Sequence, residues 1–372
     1  MRIRGNPRLK LLDRMLGVPL VRALSLLPKH PRVDPSTLKR VALLKTAAIG
    51  DTLLLSGPID DLRRALPNAE LVLITGEDNR EAGELLASRV DRRIAISPRR
   101  PGAAVRTLRR ERFDAVLDFG AWPRFDAIVT ALSQARVRAG FATRGQSRHH
   151  AFDVVVEHSA ELHEIDNYRR LVAEFGATKH VAPHLGPSRT LEADRIPEAP
   201  FVVFHPWSGG YNGHVKEWSP SLWVELGIKM HERGWSVLVT GSAAEHERAA
   251  VIESALGGFG CTAFNGAGEY TLAELTDVLV ASEAVISVNT GVMHLAAMLG
   301  ALTVSLEGPT PVHRWGPLGP RAHSVATPLP GCGFLNLGFE YRKHRADCMS
   351  GITPEAVESV LARALSPRGV SA

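Results

Sequence analysis

The chain has little cysteine, few aromatic residues and no long apolar run, and each shortage closes off a class of protein. Three cysteines in 372 residues, Cys261, Cys332 and Cys348, are too few and too scattered for a disulfide framework, and no Cys-x-x-Cys spacing suits zinc. Cys332 and Cys348 flank one loop-rich segment and can be neighbours in space; read as buried thiols, they point to a reducing, cytoplasmic compartment. No apolar stretch reaches the ~18–20 residues that cross a bilayer. No small-residue cleavage site follows a compact apolar core, so no signal peptide is expected. The Gly-x-Gly-x-x-Gly pattern of dinucleotide dehydrogenases is missing, as is an Asp-x-Asp pair of the kind metal-using sugar transferases carry.

What is present is an ordinary globular composition, 45% hydrophobic and 22% charged, over a length that favours two domains. The net charge of +5 is unevenly placed. Residues 1–40 carry ten Lys or Arg against Asp13 and Asp34, a surplus of eight, which leaves the rest of the chain slightly acidic. The basicity is therefore an N-terminal feature and not a nucleic-acid footprint. Within that segment Leu12, Met15, Leu16, Leu20, Ala23, Leu24 and Leu27 recur at helical spacing, and Pro19 predicts a kink or two short helices. Such an element either rests on anionic lipid or packs on the first domain with a solvated basic face.

Beyond it, strand and helix patterns alternate. Arg40–Lys45 is a continuous apolar run of the kind a parallel sheet buries on both faces, and Glu70–Thr75, Ile94–Ile96 and Phe113–Asp118 follow it. A Pro- and charge-rich stretch, 192–200, separates a second series. Its strands are Phe201–His205, Ser236–Thr240, Ala284–Val288 and Leu302–Leu306, with helices at Trp218–Arg233, Leu272–Val280, Val292–Leu299 and 354–365 between and after them. The division expected is a basic extension, 1–39; a Rossmann-like domain, 40–190; a second one, 195–352; and a helix and tail, 353–372.

Ligands of open α/β sheets bind beyond the carboxyl ends of the strands, and four loops there are chemically loaded. Gly50-Asp51 follows the first strand, where Asp51 serves either as a helix N-cap or as a general base. His205–Gly210 offers backbone N–H groups near Ser208 and Gly209, with Lys216 beyond as a point charge for a diphosphate or as a solvated lysine. Gly241–Glu245 places Glu245 either on ribose hydroxyls or at a helix start that favours an acid. Ser287–His294 ends a strand in Asn289-Thr290-Gly291 and opens a helix whose free N–H groups suit an anion, with His294 in its first turn.

Taken together these loops resemble the heptosyltransferases, glycosyltransferase family 9, from about Arg40 to Ile352. The likeness rests on Gly50-Asp51 with Pro58, Leu62-Arg63 and Pro67; Phe113-Asp114; and His163 through Tyr168-Arg169. It continues with Lys216-Glu217-Trp218, Gly241–Glu245, Thr290-Gly291 with His294–Ala297, Gly308-Pro309-Thr310 with Trp315-Gly316-Pro317, and Cys332 and Cys348 with Ile352-Thr353-Pro354. The resemblance implies a GT-B fold, α/β with two Rossmann-like parallel-sheet domains facing a central cleft. It implies an inverting, metal-independent transfer with no cofactor, only a nucleotide-diphospho-sugar co-substrate, ADP-linked. Carried over, Asp51 is the base; Ser208, Gly209 and Lys216 hold the diphosphate; Glu245 meets the ribose and Tyr270 the adenine; Asn289, Thr290, Gly291 and His294 complete the phosphate and sugar site. Arg124, after a strand end at Asp118–Gly120, is the candidate for an anionic glycolipid acceptor on the cytoplasmic face of a membrane. Asn289 stands where the family has Asp, keeping the hydrogen bonding and losing the charge, and the Ser208–Lys216 loop is longer than usual. The rival readings are a transferase for another glycan, a non-catalytic sugar-nucleotide-binding protein and an epimerase of the same architecture.

Overall fold

The computed structural model describes residues 11, 13–31, 33–210, 212–338, 340 and 347–366. The chain divides into two compact units, the first ending at Pro183 and the second beginning at His184. The break falls ahead of the Pro-rich stretch for a local reason. Asp277 accepts the backbone N–H groups of Arg189, Thr190 and Leu191 at 2.7–3.0 Å, so the segment after Pro183 is fastened to the second unit.

The first unit holds six parallel strands, β1 (Arg40–Lys45), β2 (Glu70–Thr75), β3 (Arg92–Ala95), β4 (Ala115–Asp118), β5 (Val137–Ala142) and β6 (Val154–Glu157), in the order β3-β2-β1-β4-β5-β6. Its helices are α1 (Val18–Ala23), α2 (Ile49–Leu54), α3 (Ser56–Ala65), α4 (Arg80–Leu85), α5 (Pro101–Glu111), α6 (Arg124–Ala131) and α7 (Glu164–Ala173). Central strand β1 buries Val41 to Leu44 completely, as a strand covered on both faces must. Ala42 and Leu44 meet Val72, Ile74, Val116, Leu108 and Val129 in one core.

The second unit repeats the plan with β7 (Phe201–His205), β8 (Ser236–Gly241), β9 (Ala263–Ala267), β10 (Ala284–Val288), β11 (Thr303–Glu307) and β12 (Ala322–Ala326), ordered β12-β11-β10-β7-β8-β9. Its helices are α8 (Pro220–Glu232), α9 (His246–Gly258), α10 (Leu272–Ala281), α11 (Gly291–Met298), α12 (Val312–Trp315) and α13 (Pro354–Leu365). The terminal helix α13 is part of this unit, because Val357 and Leu361 pack with Trp218, Trp223 and Val304 in its core. Both sheets thus have Rossmann strand order, with the switch point between β1 and β4 in one and between β7 and β10 in the other.

Strands β5, β6, β9 and β12 were not expected, and composition explains why. Strand β5 includes Arg138, which is buried only because Asp153 meets its guanidinium at 2.6 and 2.8 Å, and Gly140, whose missing side chain makes room for the Phe152 ring. Strands β6 and β9 lie at sheet edges and show mixed burial instead of an apolar run.

The N-terminal segment is folded onto the first unit. A π-helical turn, Asp13–Gly17, gives way to the short helix α1 with Pro19 in its first turn, and a 3-10 turn, Leu24–Leu26, follows, so the helical geometry changes just ahead of the proline. The apolar stripe is split by this arrangement. Val21, Leu24 and Leu27 pack on Ala127, Ala131 and Phe152, whereas Met15, Leu16 and Leu20 are exposed. Lys29 ties the segment to the carbonyls of His150 and Phe152 at 2.9 and 2.5 Å. Leu12 and the cations Arg2, Arg4, Arg8, Lys10 and Arg32 lie outside the described residues. Cys332 and Cys348 are joined by a disulfide, which corrects the expectation of two buried thiols; Cys261 is the buried free thiol.

Candidate active site

At the switch point of the first sheet, β1 ends in Lys45 and β4 in Asp118, neighbours through the pairing of Leu44 with Asp118. The loop after β1 passes through Ala48 at φ 69°, a left-handed conformation that costs an alanine about 1 kcal/mol or more. That bend turns the chain into α2, whose first turn carries Asp51. Lys45 Nζ donates to Asp51 Oδ2 at 2.9 Å and lies 3.5 Å from the Phe119 carbonyl. Lys45 itself is buried, while the Asp51 side chain is 24% exposed, so the pair offers a carboxylate to solvent from a fixed base. Oδ1 of Asp51 accepts no hydrogen bond among the described residues.

Behind this pair is a buried polar knot. Arg148 donates to the Asp118 carboxylate and to the carbonyls of Gly120 and Pro123, the last at 3.0 Å, with both side chains fully shielded. Thr46 Oγ1 donates to Asp126 Oδ1 at 2.5 Å, and the other Asp126 oxygen has no partner among the described residues. Burial, and after it the charge of Asp118, pushes the Asp126 carboxyl up to about 7. Gly120 fits closely here: a Cβ on it would lie 3.0 Å from both Asp118 Oδ1 and Asp126 Oδ2. The knot fixes the loop after β4 against the loop that carries Asp51.

Arg124 follows the end of β4, as expected, and opens α6, but its donors are already engaged. It is 7% exposed. Its backbone N–H and Nη1 donate to Asp13 at 2.9 and 2.7 Å, and Nε and Nη2 donate to Gln146 at 3.0 and 2.8 Å. In this structure it clamps the N-terminal segment in place of presenting a free guanidinium.

At the switch point of the second sheet, β7 and β10 run side by side with Ser287 opposite His205, and β11 flanks β10. The loop after β7 folds back at Gly213, where a Cβ would collide with the Ser208 carbonyl, and Ser208 N–H donates to Glu217 at 3.3 Å. Ser208 is buried, Gly209 partly so, and Lys216 ends the short turn Gly213–Lys216. After β10 comes Asn289, then Thr290 as N-cap of α11 without a side-chain cap bond, then Gly291 at its first position. His294 is 4% exposed within that first turn. The helix N-terminus therefore faces the loop with uncapped backbone donors, the arrangement that receives an anion.

Glu307, the last residue of β11, was not singled out from the sequence. It is 1% exposed. It accepts Asn289 Nδ2 at 3.0 and 3.1 Å through its two oxygens and the Thr310 hydroxyl at 2.5 Å. Burial pushes its carboxyl up to about 7, opposed by Asn289, Thr310, Ser305 and the charge of Lys216. Lys216, Glu307, Asn289 and the start of α11 thus share one end of the sheet.

The remaining expected residues are more peripheral. Glu245 closes a capping box with Ser242, accepting its N–H at 2.9 Å and its hydroxyl at 2.5 Å, so the carboxylate shapes a helix start. Tyr270 follows edge strand β9, and its hydroxyl donates to the Arg195 carbonyl at 3.0 Å.

Two parallel sheets of this topology, one switch point bearing a solvent-reaching carboxylate and the other an uncapped helix start, place candidate ligand sites at the carboxyl ends of the strands. The sequence pattern of "Glycosyltransferase family 9 (heptosyltransferase)" matches residues 102–331, more than half of the chain, and the protein belongs to that family. It is a glycosyltransferase. Among curated relatives it is similar to lipopolysaccharide heptosyltransferase 1 of Pseudomonas aeruginosa, 29% identical over 300 residues, covering 73% of this chain and 79% of the relative. Among solved structures it is similar to ADP-heptose LPS heptosyltransferase II of E. coli, with a TM-score of 0.68 and 21% identity over 88% of this chain and 99% of the other. An E. coli heptosyltransferase solved with ADP gives a TM-score of 0.68 and 21% identity over 87% and 99%.

Proposed function

We propose that this chain moves a heptose, or a closely related sugar, from an ADP-linked donor to a lipopolysaccharide-core or similar glycolipid acceptor, with inversion and without a metal. The observation that carries the reading is the grouping of Lys216, the amide of Asn289 and the N-terminus of α11 at one switch point. The relatives support the sugar and the nucleotide, being a lipopolysaccharide heptosyltransferase and heptosyltransferases solved as an ADP-heptose enzyme and with ADP.

Asp51 accepts the proton of the acceptor hydroxyl through the oxygen that Lys45 does not hold. The hydroxyl oxygen forms its bond to the anomeric carbon as the bond to the diphosphate oxygen breaks, and ADP departs with that electron pair. Lys216 and the α11 N–H groups stabilise the charge gathered on the leaving diphosphate, which is the term a metal would otherwise supply. Ser208 and Gly209 lie beside this anion, Glu245 and Tyr270 toward the nucleoside, Thr290, Gly291 and His294 toward phosphate and sugar. The exposed Met15, Leu16 and Leu20, with the N-terminal surplus of eight positive charges, favour contact with an anionic bilayer that holds the acceptor at its cytoplasmic face.

The test is ADP release from ADP-heptose with and without a lipopolysaccharide-core acceptor. Acceptor-dependent release is expected; selective binding of a UDP- or GDP-sugar with none of ADP-sugars would overturn the donor assignment. Asn289, neutral where the family has Asp, favours one second reading, a transferase of this family using a different sugar, which a donor panel in the same assay separates.

A further inference from the structure

Asn289 departs from its family at the position nearest the anion-binding turn, and a buried carboxyl, Glu307, stands one strand away. The side-chain amide has two N–H donors. One is received by the two Glu307 oxygens at 3.0 and 3.1 Å and the other by the Trp315 carbonyl at 2.9 Å. A group that faces a carboxylate on one side and a carbonyl on the other must be the NH2 end, because a carbonyl oxygen there would meet only acceptors. Both donors are therefore spent, and Oδ1 accepts no hydrogen bond among the described residues. Glu307 is held for this task in turn by the Thr310 hydroxyl at 2.5 Å.

We propose that Glu307 is a positioning residue for donor recognition: it locks the Asn289 side chain so that the carbonyl oxygen is the acceptor offered to a hydroxyl of the donor's sugar. The inference rests on the reading that the second switch point binds a sugar nucleotide. In effect a buried carboxyl stands in the layer behind the contact, and a neutral amide with a fixed orientation takes the accepting role. A freely turning amide would present N–H as readily as C=O and would not select a hydroxyl donor.

Titration calorimetry with ADP-heptose and with ADP alone tests this. Glu307→Gln keeps the shape but removes one of the two acceptors that hold the NH2 end, since a glutamine can donate to Oδ1 as well as accept from Nδ2, and leaves the Trp315 carbonyl alone to set the orientation. The expected result is a loss of about tenfold in affinity for ADP-heptose, the scale of one hydrogen bond, with ADP unchanged and the loss appearing in KM more than in kcat. The exchange Asn289→Asp with Glu307→Gln returns the carboxylate to the contact, with the glutamine amide donating to it, and is expected to restore ADP-heptose affinity to within about twofold. If Glu307→Gln is too unstable to assay, Asn289→Ala, which deletes the acceptor and leaves Glu307, is expected to lose the same factor that the exchanged pair regains.

Unchanged ADP-heptose affinity in Glu307→Gln would overturn the inference, as would an equal loss toward ADP, or failure of the exchanged pair to recover. Wild-type binding separates the two levels. If the native protein does not bind ADP-heptose, the donor assignment falls and this inference with it. Normal wild-type binding with an indifferent Glu307→Gln overturns the inference alone.

Discussion

The ends of β1 and β4 and the ends of β7 and β10 are equivalent places in one topology, yet they carry opposite chemistry. The first switch point is built from carboxylates with their cations close behind, Asp51 on Lys45 and Asp118 on Arg148. The second is built from a glycine-containing loop, an uncapped helix N-terminus, Lys216 and an amide, with one carboxyl withdrawn into the interior. The shared strand order decides where a ligand site forms, and the loops decide whether that site removes a proton or holds an anion. Each half can be broken separately, and the losses should differ in kind.

The largest effect is expected at Asp51. Replacing it with Asn removes the proton acceptor and keeps the shape, so turnover should fall by about 10²–10⁴-fold, the usual contribution of a general base. Donor affinity should stay within about twofold, because the anion site belongs to the other unit. Steady-state ADP release set beside calorimetric donor binding measures both, and a parallel loss of binding would remove the distinction drawn between the two switch points.

Next in size is the buried pair beneath it. Arg148→Met leaves the Asp118 carboxylate shielded and uncompensated, which should cost about 3–5 kcal/mol of stability. The double replacement with Asp118→Leu should recover much of that loss, because a buried pair is worth far less than half of one. Thermal melts of the three proteins decide it. An additive double variant would show that the two side chains are not coupled.

A smaller change is expected from Lys216→Met. Removing one charged contact to a diphosphate should weaken donor binding about ten- to a hundredfold, in line with a hydrogen bond to a charged group. Chemistry on saturated enzyme should be reduced less than by Asp51→Asn. A turnover defect without a binding defect would move Lys216 out of the anion site.

These contrasts also show which parts of the molecule can be read in one dimension. Strands β1, β7 and β10 are legible because strands covered on both faces become unbroken runs such as Val41–Leu44. The loops follow from the strands, and so Asp51, Lys216 and the Asn289–His294 turn are found where a strand ends. The buried knot is not legible. Asp118, Asp126 and Arg148 are spaced by no helical or strand period, and only the folding of the loop after β4 brings them together. Glu307 was missed more narrowly, since an apolar run through Leu306 hides that the strand's next residue is buried too. Arg124 teaches the reverse: its place at a strand's end is right, but Asp13, more than a hundred residues away, takes its charge.

The subtlest comparison concerns pH, since each unit buries one carboxyl with a pKa pushed up to about 7, Asp126 in the first and Glu307 in the second. A folded-state pKa above the unfolded value means that the native form holds the proton more tightly. Unfolded aspartate and glutamate release theirs near pH 4, so between about pH 4 and 7 the native state binds more protons than the unfolded state. Stability attributable to these groups therefore declines as pH rises through that window and is level above it, at a slope of at most ~1.4 kcal/mol per pH unit for each. Asp126→Asn removes the titration and keeps an acceptor for Thr46, so the gap between variant and wild type should move in the variant's favour from pH 5 to pH 7.5. Melting curves over that range read the gap directly, and pH dependences common to both proteins cancel in it. Asp126 has an oxygen with no partner, whereas Glu307 is met by Asn289, Thr310 and, from further off, Lys216. The same kind of replacement at the second switch point, Glu307→Gln, removes a titration in the same window, so its gain over that range should be of similar size, while the contacts it gives up set it back by an amount that does not change with pH. A gain at one site and none at the other would mean that the second carboxyl does not hold its proton more tightly in the folded protein.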